Sequence, residues 1–144
     1  MKASQPQALA DEWKKIRLLA EKYLSFIESN KLDDAEKARQ KILDFLNNLI
    51  KSNPNDAGLL ASKADYLERA TSREVALVKA YSISKKTNDD KNATLISSSL
   101  CTLYAEELID LKKLRLWLER LENDLRLHFD ADESANYLAL LRKV

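Results

Sequence analysis

Glycine, proline, cysteine and histidine are all scarce in this chain of 144 residues. The sequence contains one glycine (Gly58), two prolines (Pro6 and Pro54), one cysteine (Cys101) and one histidine (His128). Glycine makes up roughly 7% of an average protein. Phosphate-binding loops, oxyanion nests and tight hairpin turns depend on its freedom to adopt positive φ. Its near absence argues against such sites and predicts helices joined by short polar turns.

The same scarcity limits the chemistry that the chain can perform. One cysteine and one histidine do not make a zinc site, and no Glu-x-x-His pair of the kind that di-iron helical bundles use occurs. His128 lies close to the apolar stripe of a predicted helix, and Cys101 lies within an apolar stretch, so we interpret both as packing residues. We therefore expect a protein that is not an enzyme, with no catalytic residues, no metal and no cofactor.

The charge balance and the apolar pattern narrow the range of partners and locations. The 24 Lys and Arg residues almost cancel the 23 Asp and Glu residues, whereas nucleic-acid-binding proteins usually carry a basic excess. No apolar run approaches the 18 residues that a membrane-spanning helix needs, and the N-terminus has no apolar segment typical of a signal peptide. A single cysteine suits a reducing compartment. We expect a cytoplasmic protein that binds neither nucleic acid nor membrane.

Apolar residues recur every three or four positions through most of the chain, which is the period of an α-helix. The pattern predicts an all-α single domain over 1–144. It contains three antiparallel helical hairpins at approximately 7–51, 56–87 and 91–128, followed by a short helix at 132–143. The sixth helix has the most regular stripe, formed by leucines at 111, 114, 118, 121 and 125.

Polar residues and one proline predict where these helices begin and end. Pro54 should stop the second helix, because the residue before a proline disfavours helical backbone. Asp56 and Asp110 are placed to cap the third and sixth helices. Thr71 and Glu74 have the spacing of a capping box, which predicts that the fourth helix begins at Thr71.

The third hairpin resembles a tetratricopeptide repeat. Cys101 would be the small residue of the repeat's first helix, Tyr104 its tyrosine, Asp110 its turn acid and Leu114 the position usually occupied by alanine. Similar positions in the earlier hairpins are held by Ala64, Leu67, Ala76 and Ala80, and by the turn at residues 30–35. The chain departs from that family because it lacks the turn glycine, needs a one-residue insertion in the third hairpin and has longer helices in the first. The resemblance implies a small solenoid with a concave binding surface, and a HEAT-like or armadillo-like stack remains an alternative.

Four hydroxyl residues, Ser97 to Ser99 and Thr102, interrupt the fifth helix. Hydroxyl residues are weak helix formers, so either close packing between helices or a binding groove explains them. If the hydroxyl residues form a binding groove, we predict a partner-binding face that combines hydroxyl, acidic and basic side chains. Its predicted members are Asp65, Glu68, Arg69, Ser98, Thr102, Glu106, Glu107 and Asp110, with the last three acids steering a basic partner.

Three functions fit these expectations. The first is a helical immunity protein of a bacterial toxin–immunity system, such as contact-dependent inhibition, which would bind and block a toxin domain such as a nuclease. The second is a tetratricopeptide-like adaptor or chaperone that clamps a peptide. The third is an assembly unit that self-associates through Leu116 and Leu127, which project away from the leucine stripe.

Overall fold

The computed structural model describes residues 9–128, and this range folds into six α-helices without a β-strand. The helices are α1 (Ala10–Glu28), α2 (Leu32–Ser52), α3 (Ala57–Ala64), α4 (Ala70–Lys86), α5 (Asp90–Glu106) and α6 (Leu111–His128). The all-α prediction is confirmed. The predicted helix at 132–143 lies outside the described residues.

Several helix boundaries follow the local signals in the sequence. α2 ends two residues before Pro54. The Asp56 carboxylate accepts a hydrogen bond from the backbone N–H of Leu59 at 3.1 Å, and the Asp110 carboxylate accepts one from the N–H of Lys113 at 3.0 Å. These bonds satisfy amide donors that the first turn of a helix leaves without a partner.

The predicted capping box at the start of α4 is wrong. α4 begins at Ala70, and its N-cap residue, Arg69, makes no side-chain capping bond. Glu74 does not fold back onto the N-cap backbone because its carboxylate accepts hydrogen bonds from Tyr104 and Lys113 instead. A tertiary contact has replaced the local one.

Asparagine occupies two turn positions with positive φ at which glycine is the usual residue. Asn30 and Asn88 have φ of 57° and 58° and follow α1 and α4. In each turn the next amide N–H bonds back to the carbonyl five residues earlier, as in the Schellman motif. Asn tolerates this left-handed conformation better than most residues. Ile109, between α5 and α6, has φ of 48°, which is unfavourable for a β-branched side chain.

The chain divides into two compact units at residues 51 and 52. The first contains α1 and α2, which lie close enough for Lys15 Nζ to sit 4.7 Å from the centre of the Phe45 ring. The buried apolar side chains of the described part of this unit are Ile16, Ala35, Ile42, Leu43 and Leu46. The single-domain organisation stays a prediction.

The second unit contains α3 to α6, and α5 is its most deeply buried helix. α4 packs against α3 and α5, α6 packs against α5, and α3 also touches α5. Ile96, Leu100 and Tyr104 are each at most 1% exposed on α5. The expectation that Cys101 is buried is confirmed.

The inward face of α6 differs from the predicted leucine stripe at two positions. Leu111 is 74% exposed, so its place on the stripe is wrong, whereas Trp117 is buried beside Leu121 and Leu125. The Trp117 ring meets the Tyr81 ring edge-on with centroids 4.8 Å apart. This aromatic contact joins α6 to α4. The buried face of α6 is therefore formed by Trp117, Leu121 and Leu125, and it does not include the first turn of the helix.

Candidate functional site

We call residues 106–111, at the turn between α5 and α6, the α5–α6 corner. Arg73 links this corner to the loop between α3 and α4. Arg73 Nη1 donates to the backbone carbonyls of Leu67 and Glu68, each at 3.0 Å. Its Nη2 donates to the Glu107 carboxylate. One guanidinium therefore joins Glu68 and Glu107, which belong to the two separate stretches of the predicted binding face.

A second cluster beside Arg73 fixes α4, α5 and α6 at the same end of the unit. The Tyr104 hydroxyl donates to Glu74 Oε2 at 2.6 Å, and Lys113 Nζ donates to the same oxygen at 3.0 Å. The hydrogen bond from Tyr104, aided by Lys113, holds the pKa of Glu74 below its ordinary value. Burial, together with the Glu74 charge, raises the pKa of Tyr104. The corner is thus presented by a fixed scaffold.

The three predicted steering acids have different roles in the structure. Glu107 is paired with Arg73, and Asp110 caps α6. Glu106 is exposed, and its carboxylate makes no hydrogen bond or ion pair with the described part of the chain. Of the three acids, Glu106 is therefore the one whose charge is not engaged by a described residue.

The hydroxyl residues of α5 divide between packing and exposure. Ser97 is completely buried and donates to the backbone carbonyl of Thr94, which favours close helix packing for this residue. Thr102 is exposed and donates to the carbonyl of Ser98. Ser98, Thr102 and Glu106 follow one another at intervals of four residues, so they share a face of α5.

Asp65 and Arg69 are at opposite ends of the loop between α3 and α4, and both are exposed. Neighbouring protein atoms partly desolvate the Asp65 carboxyl and raise its pKa. The loop therefore adds one acid and one base to the surface near Glu68. That all eight predicted residues form one binding face stays a prediction.

The sequence analysis missed the two most prominent apolar side chains of the corner. Ile109 is 64% exposed and Leu111 is 74% exposed, and they flank Asp110 in the chain. Paired exposed apolar residues beside charged ones are typical of protein-binding surfaces. Ile109 also holds an unfavourable positive φ, and such strain is often found at functional positions. Two large apolar residues on either side of a turn acid were the signal that could have revealed them.

A polar cluster at the other end of α4 and α6 has a structural role. Asp124 is 2% exposed, and its carboxylate accepts hydrogen bonds from Tyr81 at 3.1 Å and Lys85 at 3.0 Å. Burial and the Asp124 charge raise the pKa of Tyr81 to about 12. Arg120 lies 4.4 Å from the Trp117 ring centre. Each buried polar group has a partner, so this cluster holds α6 against α4.

Cys101 is the remaining candidate for chemistry among the side chains that the structure describes. Burial raises the pKa of the Cys101 thiol to about 12, which keeps it protonated and unreactive at neutral pH. Within residues 9–128, no three His, Cys, Asp or Glu side chains are grouped to hold a metal ion. None of the described helices has the length and apolar character needed to cross a membrane. Leu116 is 44% exposed, whereas the side chains of Leu127 and His128 lie outside the described set.

No family model, curated protein or solved structure matches this chain.

Proposed function

We propose that this chain is a non-enzymatic, cytoplasmic protein-binding module, and specifically an immunity protein that blocks a bacterial toxin domain by direct contact. The observation that carries the proposal is the α5–α6 corner, where Ile109 and Leu111 are exposed beside Glu106 on a scaffold fixed by Arg73 and Glu74. Rigid presentation lowers the entropy cost of binding. Apolar anchors surrounded by polar side chains provide most of the energy at such interfaces.

A basic toxin surface, such as that of a nuclease domain, is the partner that suits this corner. Glu106 would raise the association rate through charge attraction, and Leu111 would slow dissociation through apolar burial. Asp65, Glu68, Arg69, Ser98 and Thr102 would extend the contact beyond the corner. The partner would need neither a metal nor a cofactor from this chain.

The proposed architecture is a tetratricopeptide-like stack of hairpins. The contact between α3 and α5 supports it, because these are the first helices of the second and third predicted hairpins and a repeat array places equivalent helices side by side. An adaptor that clamps a peptide is the second candidate. A cleft of about 560 Å³ between α3 and α4 favours it, since Leu60, Leu67 and Val75 line this cleft together with Lys63 and Lys79.

The test begins with capture of partners from an extract of the source organism on the wild-type protein. A captured protein is then purified, its binding is measured by calorimetry and stopped-flow fluorescence, and its toxicity is assayed with and without the chain. We expect Glu106→Lys to slow association and Leu111→Ser to speed dissociation, each about tenfold. Glu119→Lys, on an exposed part of α6, makes the same charge change and should alter neither rate.

Stoichiometric binding of one toxin that is neutralised would support the immunity function. Binding of several unfolded or extended peptides, unaffected by Glu106→Lys, would favour the adaptor. Turnover of a substrate by the purified protein would contradict both functions.

A further inference from the structure

The first unit carries a basic groove that the proposed function does not use. Two adjoining clefts, of about 490 Å³ and 240 Å³, share Leu19 and Lys22 as lining residues. The first is lined by residues of α1 alone, and the second lies between α1 and α2. We call this continuous depression the α1–α2 groove. Its lining residues are Lys15, Leu18, Leu19, Glu21, Lys22, Ser25, Phe26, Asp34, Lys37, Ala38 and Lys41.

The groove has an apolar floor between lysine-rich sides. Leu19, Phe26 and Ala38 are half-buried and form the floor, and Leu18 is 56% exposed at its edge. Lys15 and Lys22 lie on the α1 side, and Lys37 and Lys41 lie on the α2 side. Glu21 and Asp34 are the two acids among the lining residues, so the groove has an excess of positive charge although the whole chain is almost neutral.

None of these four lysines forms an ion pair with another residue in the described range. Lys15 does contact the Phe45 ring, which orients its stem along the hairpin. A net excess of positive charge along a shallow channel favours a ligand of opposite charge.

We propose that the α1–α2 groove binds an acidic amphipathic helix of a partner protein. The α1 side extends from Lys15 to Phe26, which corresponds to about 16 Å, or three helical turns. Leu19 and Phe26 are seven residues apart, which matches apolar side chains repeated along one face of a docked helix. Carboxylates flanking that face would meet the two lysines of α1 and the two of α2.

A narrow ligand fits this surface better than a flat one. Leu19, Phe26 and Ala38 are less exposed than the four lysines that line the same groove, so a helix can contact them with its apolar face while its acidic side chains meet the lysines. A lipid bilayer would touch the rim and leave Phe26 and Ala38 uncovered. The groove belongs to a different unit from the α5–α6 corner, so Glu106→Lys should leave this binding unchanged.

The probe is a labelled 14-residue peptide with leucines on one helical face and glutamates on both sides of that face, titrated with the full chain by fluorescence anisotropy. We expect saturable binding, a gain of peptide helicity in circular dichroism and clear weakening between 50 and 300 mM salt. Lys22→Glu/Lys41→Glu should weaken binding at least tenfold. Leu18→Ser should weaken it about threefold through loss of apolar contact.

The matched control is Lys14→Glu/Lys51→Glu, which makes the same charge change at two exposed lysines outside the groove and should alter binding less than twofold. A shuffled peptide of identical composition, with no apolar face, should bind at least tenfold more weakly. If Lys22→Glu/Lys41→Glu loses helicity, Lys22→Gln/Lys41→Gln takes its place. Equal weakening by the control, equal binding of the shuffled peptide, or tighter binding to phosphatidylserine vesicles would each overturn the proposal.

Discussion

The two units of this protein bury their helices to different extents. In the first unit α1 buries one residue, Ile16, while Leu18, Leu24 and Ile27 on the same helix are 43% exposed or more. In the second unit α5 buries eight residues, because it packs against both α4 and α6. A helix with neighbours on two sides needs small side chains for close approach, which accounts for the buried Ser97.

Polar contacts show the same contrast. The side-chain hydrogen bonds described on α2 join residues three or four apart, as in Glu36 with Arg39 and Gln40 with Asp44. The second unit has local pairs of the same kind, such as Glu122 with Arg126. It also has side-chain bonds between residues 30 or more apart, as in Arg73 with Glu107. Local pairs stabilise a single helix slightly, whereas distant pairs fix one helix against another. The second unit is therefore expected to depend on these distant polar contacts for the placement of its helices.

The largest expected effect is the loss of stability when a buried isoleucine of the second unit is changed to alanine. The same change at an exposed isoleucine of the first unit provides the comparison. Ile96 is 1% exposed on α5, whereas Ile27 is 43% exposed on α1. We expect Ile96→Ala to lower the free energy of unfolding by about 3 kcal/mol and Ile27→Ala to lower it by less than about 1 kcal/mol. Urea unfolding followed by circular dichroism measures both values.

Trp117 fluorescence in a Trp13→Phe background reports on the second unit alone and serves as the control. It should detect the Ile96→Ala change and not the Ile27→Ala change. Similar losses in the two variants would contradict the difference in burial.

The all-α class and the positions of the helices could be predicted well because their signals are local. A three-to-four residue period, Pro54 and the aspartates at 56 and 110 each act within one or two helical turns, and they place six helices close to their observed bounds. The error at Leu111 arose from counting leucines alone. Trp117, which has a larger apolar surface, occupies the inward face instead.

The candidate site was harder to predict because its contacts join distant parts of the chain. Glu74 looked like a capping residue, and only the fold places it against Tyr104, 30 residues away. Arg73 was not considered, although it links Glu68 to Glu107. The exposure of Ile109 likewise depends on how the turn between α5 and α6 is oriented, which a periodic pattern does not encode.

A medium effect is expected from Glu74→Gln, which removes a charge that joins α4 to α5 and α6. The variant should lose about 1–2 kcal/mol of unfolding free energy at pH 7, because hydrogen bonds to charged groups are strong. The pKa of Glu74 is lowered in the folded state. Its stabilising contribution is therefore complete above its ordinary pKa of 4.5 and disappears as the pH falls through the folded-state pKa.

The difference in unfolding free energy between wild type and Glu74→Gln should consequently shrink below about pH 4.5, as measured by urea titrations from pH 3 to 7. Glu36→Gln in the first unit is the control. Arg39 also lowers the pKa of Glu36, but the Glu36 side chain is 55% exposed, so solvent screening should leave a much smaller change than at Glu74. A constant wild-type-to-Glu74→Gln difference across the pH range would show that charge is unimportant at Glu74.

The smallest expected effect is a change in stability when glycine replaces the turn residues that have positive φ. Ile109→Gly removes the steric cost of a β-branched residue at positive φ, so we expect a gain of about 0.5–1 kcal/mol, because the greater entropy of unfolded glycine offsets part of the relief. Asn30→Gly in the first unit and Asn88→Gly in the second should change stability by only a few tenths of a kcal/mol, since asparagine tolerates this conformation. Thermal unfolding of the three variants measures these differences.

If Ile109 is an anchor of the α5–α6 corner, Ile109→Gly will bind the toxin partner more weakly despite its greater stability. A loss of stability would instead mean that the isoleucine side chain packs favourably in the folded protein.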